Sequence, residues 1–313
     1  MQEMAFVPGG TFLMGSDRHY PEEAPAHRVA VDDFWIDRHP LTNAEFAHFV
    51  RETRYVTLAE RSLDPALYPG VAGHLLAPAS LVFSPPRAAV DATDWRQWWQ
   101  LVPGASWRHP YGPGSSWRGF EDHPVVHIAF QDALAYARWA GKDLPTEAEW
   151  EHAARGGLEN AEYAWGELFT PGGHHMANTW QGRFPHENTA LDGFERTSPV
   201  RSFPPNGYGL YDMIGNVWEW TCDFYSPRHR APAAKACCVP RNPRNSNPAD
   251  SFDPDLPANG MPRRVIKGGS HLCAPEYCRR YRPAARQAQS IDSPTSHIGF
   301  RCIARDAAPA PRS

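Results

Sequence analysis

Beyond Asn160 the sequence stops repeating. Short aromatic runs alternate with Gly, Pro and Asn turns, as in Ser202-Phe-Pro-Pro-Asn-Gly-Tyr-Gly-Leu-Tyr211. Nothing there keeps a helical or strand period long enough to make a long element. Ser226 to Pro262 is a Pro/Asn-rich excursion, and Asp306 to Ser313 reads as a disordered tail. Pro contributes 32 of 313 residues, about twice its usual share, which points away from a helical bundle. No internal repeat and no dividing linker is visible. The expectation is one irregular α+β domain over residues 1–305, with a tail over 306–313.

The longer periodic runs lie in the first half, and short aromatic strands between turns are expected after Asn160. Ala5-Phe-Val-Pro-Gly-Gly-Thr-Phe-Leu-Met14 predicts two short strands around a Pro-Gly-Gly turn, and His27–Ile36 a third. Thr42-Asn-Ala-Glu45 is a capping box, and the helix it starts carries Phe46, Phe49 and Val50 on one face. Gln131 to Ala140 predicts a second helix, stopped at Gly141. Thr146-Glu-Ala-Glu149 is another capping box; its helix turns Trp150, Ala153 and Ala154 inward and ends at Gly156-Gly157.

The formal net charge is -4 with no basic block, so nucleic acid is set aside as a partner. No apolar run approaches the length of about 18 residues that a membrane helix needs, and the N-terminus lacks signal-peptide features. Six cysteines in 313 residues is far from a disulfide scaffold, which predicts a cytoplasmic protein with reduced thiols.

Two of those cysteines restrict the chemistry. Cys273 and Cys278 lie in Lys267-Gly-Gly-Ser-His-Leu-Cys-Ala-Pro-Glu-Tyr-Cys-Arg-Arg-Tyr-Arg282. An offset of five is about 140° around a helix and opposite faces of a strand, so only a bent connection brings both sulfurs together. Pro275 makes that bend plausible by fixing its own φ and removing a donor. Two converging thiolates make either a reducible disulfide or a site for a soft ion, with Cu(I) the first candidate. Structural zinc, which wants a tetrahedral set supplied in closely spaced pairs, fits poorly. Cys222, Cys302 and the adjacent Cys237-Cys238 read as structural or incidental, and the scattered histidines, including His174-His175, as surface residues. Trp98-Trp99 reads as core filler in preference to the flank of a peptide groove.

Several blocks, in order, resemble the formylglycine-generating enzymes, or sulfatase-modifying factors. They are Pro8-Gly-Gly-Thr-Phe-Leu-Met-Gly15, Trp139–Glu151, Ala177–Pro185, Gly215-Asn-Val-Trp-Glu-Trp220, Arg264-Val-Ile-Lys-Gly-Gly-Ser270 and Gly299-Phe-Arg-Cys302. The resemblance runs from about Phe6 to Arg305. It implies a loop-rich fold of the formylglycine-generating, C-type-lectin-like kind. The Gly-Asn-Val-Trp-Glu-Trp and Arg-Val-x-x-Gly-Gly-Ser blocks mark only the superfamily, which also holds non-catalytic lectin-like binding modules and non-haem iron sulfoxide synthases. The cysteine pair is narrower and marks the formylglycine generators.

The activity so implied is oxidation of the cysteine in a sulfatase Cys-x-Pro-x-Arg motif to Cα-formylglycine, using O₂, a thiol reductant and Cu(I). Cys273 and Cys278 would hold the copper, with the substrate thiolate as a third sulfur. A Cβ hydrogen is then removed and the resulting thioaldehyde hydrolyses. Ser270 would hydrogen-bond a sulfur or oxygen species, Trp218 would wall the pocket, and His297 is a weaker candidate nearby. The expected substrate is an unfolded or nascent type I sulfatase segment. The resemblance also implies two structural Ca²⁺ ions. One is at Asn178, Thr179, Asp192 and Phe194, the other at Asp212, Gly215, Val217 and Glu219, and both sets supply the hard oxygens calcium prefers. Ala154 and Pro283 stand where secreted relatives carry a disulfide, in keeping with the cytoplasmic expectation.

Overall fold

The computed structural model describes residues 3–229, 239–255 and 260–306. Among them are eleven strands and three α-helices. The first half holds β1 (Met4–Val7), β2 (Gly10–Met14), β3 (His27–Val31), β4 (Phe34–Asp37), α1 (Asn43–Thr53), β5 (Ala79–Phe83), β6 (Trp99–Pro103), α2 (Phe130–Trp139) and α3 (Glu147–Arg155). Then come β7 (Trp218–Phe224), β8 (Arg263–Lys267), β9 (Arg286–Ser290), β10 (Ile298–Gly299) and β11 (Ile303–Ala304). The strands form four small sheets: β1-β4-β11, β10-β7-β8-β9, β2-β3 and β5-β6. Only β10–β7 pairs in parallel. No helix among the described residues is long and apolar enough to cross a membrane.

The capping boxes start their helices where the sequence places them. The Thr42 hydroxyl accepts the Glu45 N–H at 3.3 Å, and the Glu45 carboxylate accepts the Thr42 N–H at 2.9 Å. Thr146 and Glu149 repeat the exchange at 3.1 and 2.7 Å. Helix α3 ends in the left-handed Gly156, where a side chain would meet the Gly207 N at 2.8 Å. Phe46, Phe49 and Val50 of α1 pack with Tyr136, Trp107 and Phe300 in the largest core cluster. Burying each such phenylalanine contributes about 1.5–3 kcal/mol.

Every residue of α3 is buried. Ala148, Trp150 and Ala153 fill a second core against Phe12, Val29 and Phe34, and so join the N-terminal strands to the rest of the molecule. On its other side the helix is ionic. Glu147 receives Arg286 through two bonds of 2.7 and 2.8 Å, and Glu151 receives Lys267 at 3.0 Å and Arg155 at 2.7 Å. Lys267 ends β8, so this network fixes where the chain leaves the four-stranded sheet for the cysteine segment.

Two expectations are corrected. His27–Ile36 is two strands in two different sheets. The Asp33 carboxylate takes the Gly9 N–H at 2.8 Å at the crossover, so one extended run can serve two partners. The histidines are not mainly at the surface. His39, His127, His152 and His271 are buried, each with a ring nitrogen 2.8–3.0 Å from a main-chain carbonyl. Burial keeps them neutral, holding His39, His127 and His271 down to about 4. Cys237, Cys238 and the tail beyond Asp306 lie outside the described residues.

Candidate active site

The cysteine segment leaves β8 through Gly268 and Gly269, both at positive φ (93° and 72°). A side chain on Gly269 would meet the backbone of Arg280 and Tyr281 at 3.1 Å, so the glycine lets the segment double back on itself. Two turns follow. The Cys273 N–H donates to the Ser270 carbonyl at 2.9 Å, and the Ala274 carbonyl accepts both the Tyr277 and Cys278 N–H groups at 3.2 and 2.9 Å. Pro275 sits inside the second turn, where its missing donor costs nothing. The result is the expected bend: Cys273 and Cys278 are free, buried thiols with sulfurs 3.1 Å apart.

Their environments differ. Burial pushes the Cys273 thiol well above its ordinary value, and the hydrogen bond shared with Cys278 adds to this. The same bond, working against burial, brings Cys278 down to about 7, with the Arg280 guanidinium assisting from 4.0 Å. The pair therefore favours one proton on Cys273 and a thiolate at Cys278. Arg280 is held by Glu22 at 2.7 Å and by the Tyr20 ring, whose centroid lies 3.8 Å away. Next to it, the Arg282 guanidinium makes two hydrogen bonds to the buried Glu23 carboxylate. The Ser270 N–H approaches Cys273 Sγ at 3.5 Å, while the Ser270 hydroxyl accepts the Leu272 N–H at 3.2 Å.

The pair lies at a cleft of about 240 Å³ lined by Trp98, Trp99, Trp218, Tyr277, Gln287 and His297, among others. Trp218 opens β7 and donates its N–H to the His297 carbonyl at 2.9 Å. Trp98-Trp99 divides between the two readings of it. Trp98 is fully buried, as core filler should be, whereas Trp99 is half-buried and packs its ring on His297 at 4.8 Å. Burial, with His271 and His127 close by, holds His297 well below the usual imidazole range. Two other cavities, of about 270 and 350 Å³, are lined by no cysteine. Cys222 and Cys302 are buried singly, and burial pushes Cys222 up to about 12.

The donors suit a soft ion at the cysteines. Two thiols converge, and no group of three or more His, Cys, Asp or Glu side chains accompanies them among the described residues. That leaves coordination open for a further sulfur, as Cu(I) accepts and structural zinc does not. The first oxygen cluster also suits a cation. Asp192 accepts the Thr179 and Phe194 N–H groups, each at 3.0 Å. The Asn178 amide is oriented by its bond to the Arg196 carbonyl at 2.8 Å, which leaves its Oδ1 buried without a partner. The second cluster does not suit one in this arrangement. Glu219 takes Arg301 through two bonds of 2.7 Å and the Trp150 indole at 2.8 Å, so its charge is already met. Asp212, with the Gly215 and Val217 carbonyls, is left without that carboxylate.

The chain matches the Sulfatase-modifying factor enzyme 1-like domain over residues 1–306. It belongs to the sulfatase-modifying factor family. Within that family it is 57% identical to the formylglycine-generating enzyme of Mycobacterium tuberculosis over 97% of this chain and 98% of the relative. It is 47% identical to that of Thermomonospora curvata over 96% and 93%. The solved structure of PvdO from Pseudomonas aeruginosa aligns with a TM-score of 0.59 at 25% identity, covering 96% of this chain and 94% of that one. The similarity places this family member among the oxidase enzymes, not the lectin-like binders. The sequence reading missed Arg280 and its Glu22–Tyr20 support. Arg280 stands two residues past Cys278, but nothing local marks a partner 258 residues away.

Proposed function

We propose that the chain oxidises the cysteine of a sulfatase Cys-x-Pro-x-Arg segment to Cα-formylglycine in the cytoplasm, with Cu(I) held by Cys273 and Cys278. The convergence of two buried sulfurs beside an aromatic cleft carries this reading. Cu(I) there would supply a soft centre at which a substrate thiolate and O₂ meet. In the net reaction the substrate carbon and a thiol reductant give electrons to O₂. Both oxygen atoms leave as water; a further water hydrolyses the thioaldehyde, supplying the aldehyde oxygen and releasing the substrate sulfur as sulfide.

The chain's own residues prepare that meeting. Cys278 gives up its proton near neutral pH, and Arg280 offsets the negative charge beside it. The Ser270 N–H donates to Cys273 Sγ, while Trp218 and Trp98 wall the cleft beside the sulfurs. The cleft admits side chains of an extended segment, which supports an unfolded or nascent substrate over a finished sulfatase fold. Such a segment loses its freedom on binding, so several side chains must contribute. We place one structural Ca²⁺ at Asn178, Thr179, Asp192 and Phe194, on the strength of the unmet Asn178 oxygen.

Mass spectrometry of a Cys-x-Pro-x-Arg peptide incubated with the protein, Cu(I), O₂ and a thiol tests the reading. The expected product has lost one sulfur and two hydrogens and gained one oxygen. Replacing the peptide's Pro or Arg with Ala should lower kcat/KM strongly, and replacing its variable positions should do little. No mass change, or efficient turnover of a folded sulfatase, overturns it.

A further inference from the structure

A segment nearly a hundred residues upstream grips both ends of the cysteine loop. At the first end, the Trp180 N–H donates to the Cys273 carbonyl at 3.1 Å. At the second, the Phe184 N–H donates to Glu276 Oε1 at 2.9 Å, and the Phe184 ring stacks on Tyr277 with centroids 4.2 Å apart and planes 9° from parallel. Trp98 meets both rings edge-on, at 5.5 Å from Phe184 and 5.6 Å from Tyr277. Phe184, Trp98 and Trp180 are buried, whereas Tyr277 keeps 38% of its surface exposed. The Tyr277 ring is therefore packed on one side and open on the other. The stack matters for where it fixes Tyr277, the residue directly before Cys278.

We propose that Trp180–Phe184 is a brace that holds Cys278 opposite Cys273, with Phe184 and Tyr277 as its positioning residues. The purpose assigned to the brace rests on reading the cysteines as the Cu(I) pair; its effect on the sulfurs is measurable on the thiols alone. Once one sulfur binds an ion, the second binds at an effective concentration set by how narrowly the loop confines it. The Ala274 turn bends the loop but leaves Tyr277 free to swing unless the Phe184 ring covers it. Losing either ring widens the spread of sulfur–sulfur separations. Disulfide closure and two-sulfur chelation then weaken together, because both need the same converged geometry.

The test equilibrates the metal-free protein with dithiothreitol redox buffers. Two thiols give two protons and two electrons to oxidised dithiothreitol, forming the sulfur–sulfur bond and reduced dithiothreitol. Mass spectrometry of the alkylated peptide holding both cysteines reads the equilibrium separately from the other thiols. Phe184→Ala and Tyr277→Ala should each lower the closure constant about tenfold, a potential change of about 30 mV. Because the rings act as one unit, the double variant should add little to either single one. Tyr277→Phe, which keeps the stack, should stay within about twofold of the unmodified protein, whereas a hydroxyl-dependent role would not be rescued. Titration with Cu(I) against bicinchoninate should give the same ranking. If Phe184→Ala does not fold, the exposed Tyr277 decides the matter. Closure constants unchanged in Tyr277→Ala overturn the brace. An unmodified protein that closes its disulfide but takes up no Cu(I) sinks the copper reading and leaves the brace to stand on its own ranking.

Discussion

Helix α3 and the cysteine loop both bury ionisable side chains, and they treat them in opposite ways. On α3 each acid meets opposite charge. Burial alone would raise Glu151, but Lys267 and Arg155 together hold it down to about 2. In the loop, Cys273 has its partner thiol, a main-chain N–H at 3.5 Å and the more distant charge of Arg280, and burial still pushes it up. One region is electrostatically complete; in the other a single guanidinium faces two buried thiols. Stability and chemistry are therefore held by different residues, and substitutions should separate them.

The largest effect is expected at the sulfurs. Cys273→Ser or Cys278→Ser should abolish turnover and lower Cu(I) affinity by more than the roughly 100-fold typical of outer-sphere losses, because a hydroxyl is a hard ligand. The melting temperature should barely move. Chelator competition and a thermal melt check both halves, and a large drop in the melt would erase the contrast with α3.

Next comes the ionic side of α3. Lys267→Met leaves buried Glu151 to Arg155 alone and should cost up to about 3 kcal/mol in denaturant unfolding, the lower end of what breaking a buried pair costs. A loss below about 1 kcal/mol would mean that the network is not what holds the helix. The pH dependence follows from the depressed carboxyl. Glu151 titrates below its unfolded value, so its contribution is complete above the ordinary carboxylate range and is lost as pH falls towards about 2. Glu151→Gln should flatten that part of the acid-unfolding curve.

A smaller effect belongs to the oxygen cluster. Removing Ca²⁺ should lower stability by about 1–3 kcal/mol at ordinary calcium levels, and Asp192→Ala should abolish the dependence. Melts with and without a chelator read it; a variant that keeps its calcium response moves the site elsewhere. Smallest is the helix cap. Thr146→Ala should cost about 1 kcal/mol in denaturant unfolding with kcat/KM unchanged.

Local signals carried the helices. A Thr followed three residues later by Glu states its own purpose, and both boxes close as expected. The cysteine bend was legible for the same reason: five residues and one proline decide the geometry. What escaped were interactions made at a distance or against type. The run His27–Ile36 looks continuous because nothing local shows that Gly9 will cross at Asp33. Histidines look like surface residues until main-chain carbonyls bury them. Glu219 reads as a calcium ligand, and nothing local shows that Arg301, 82 residues on, will pair with it. The unmet oxygen of Asn178 could not be read from sequence, since any asparagine offers one.

The arginines beside Cys278 tie the site to the order in which the polypeptide is made. Glu22 and Glu23 are synthesised 258 and 259 residues before their partners Arg280 and Arg282. The acidic loop that the cysteine segment docks on must therefore wait while the intervening chain is made. The charge balance around the thiols exists only once both ends of that span are present. A nascent chain that stops short of Arg280 presents Glu22 and Glu23 without their guanidiniums, so the thiols and their electrostatic support are made together.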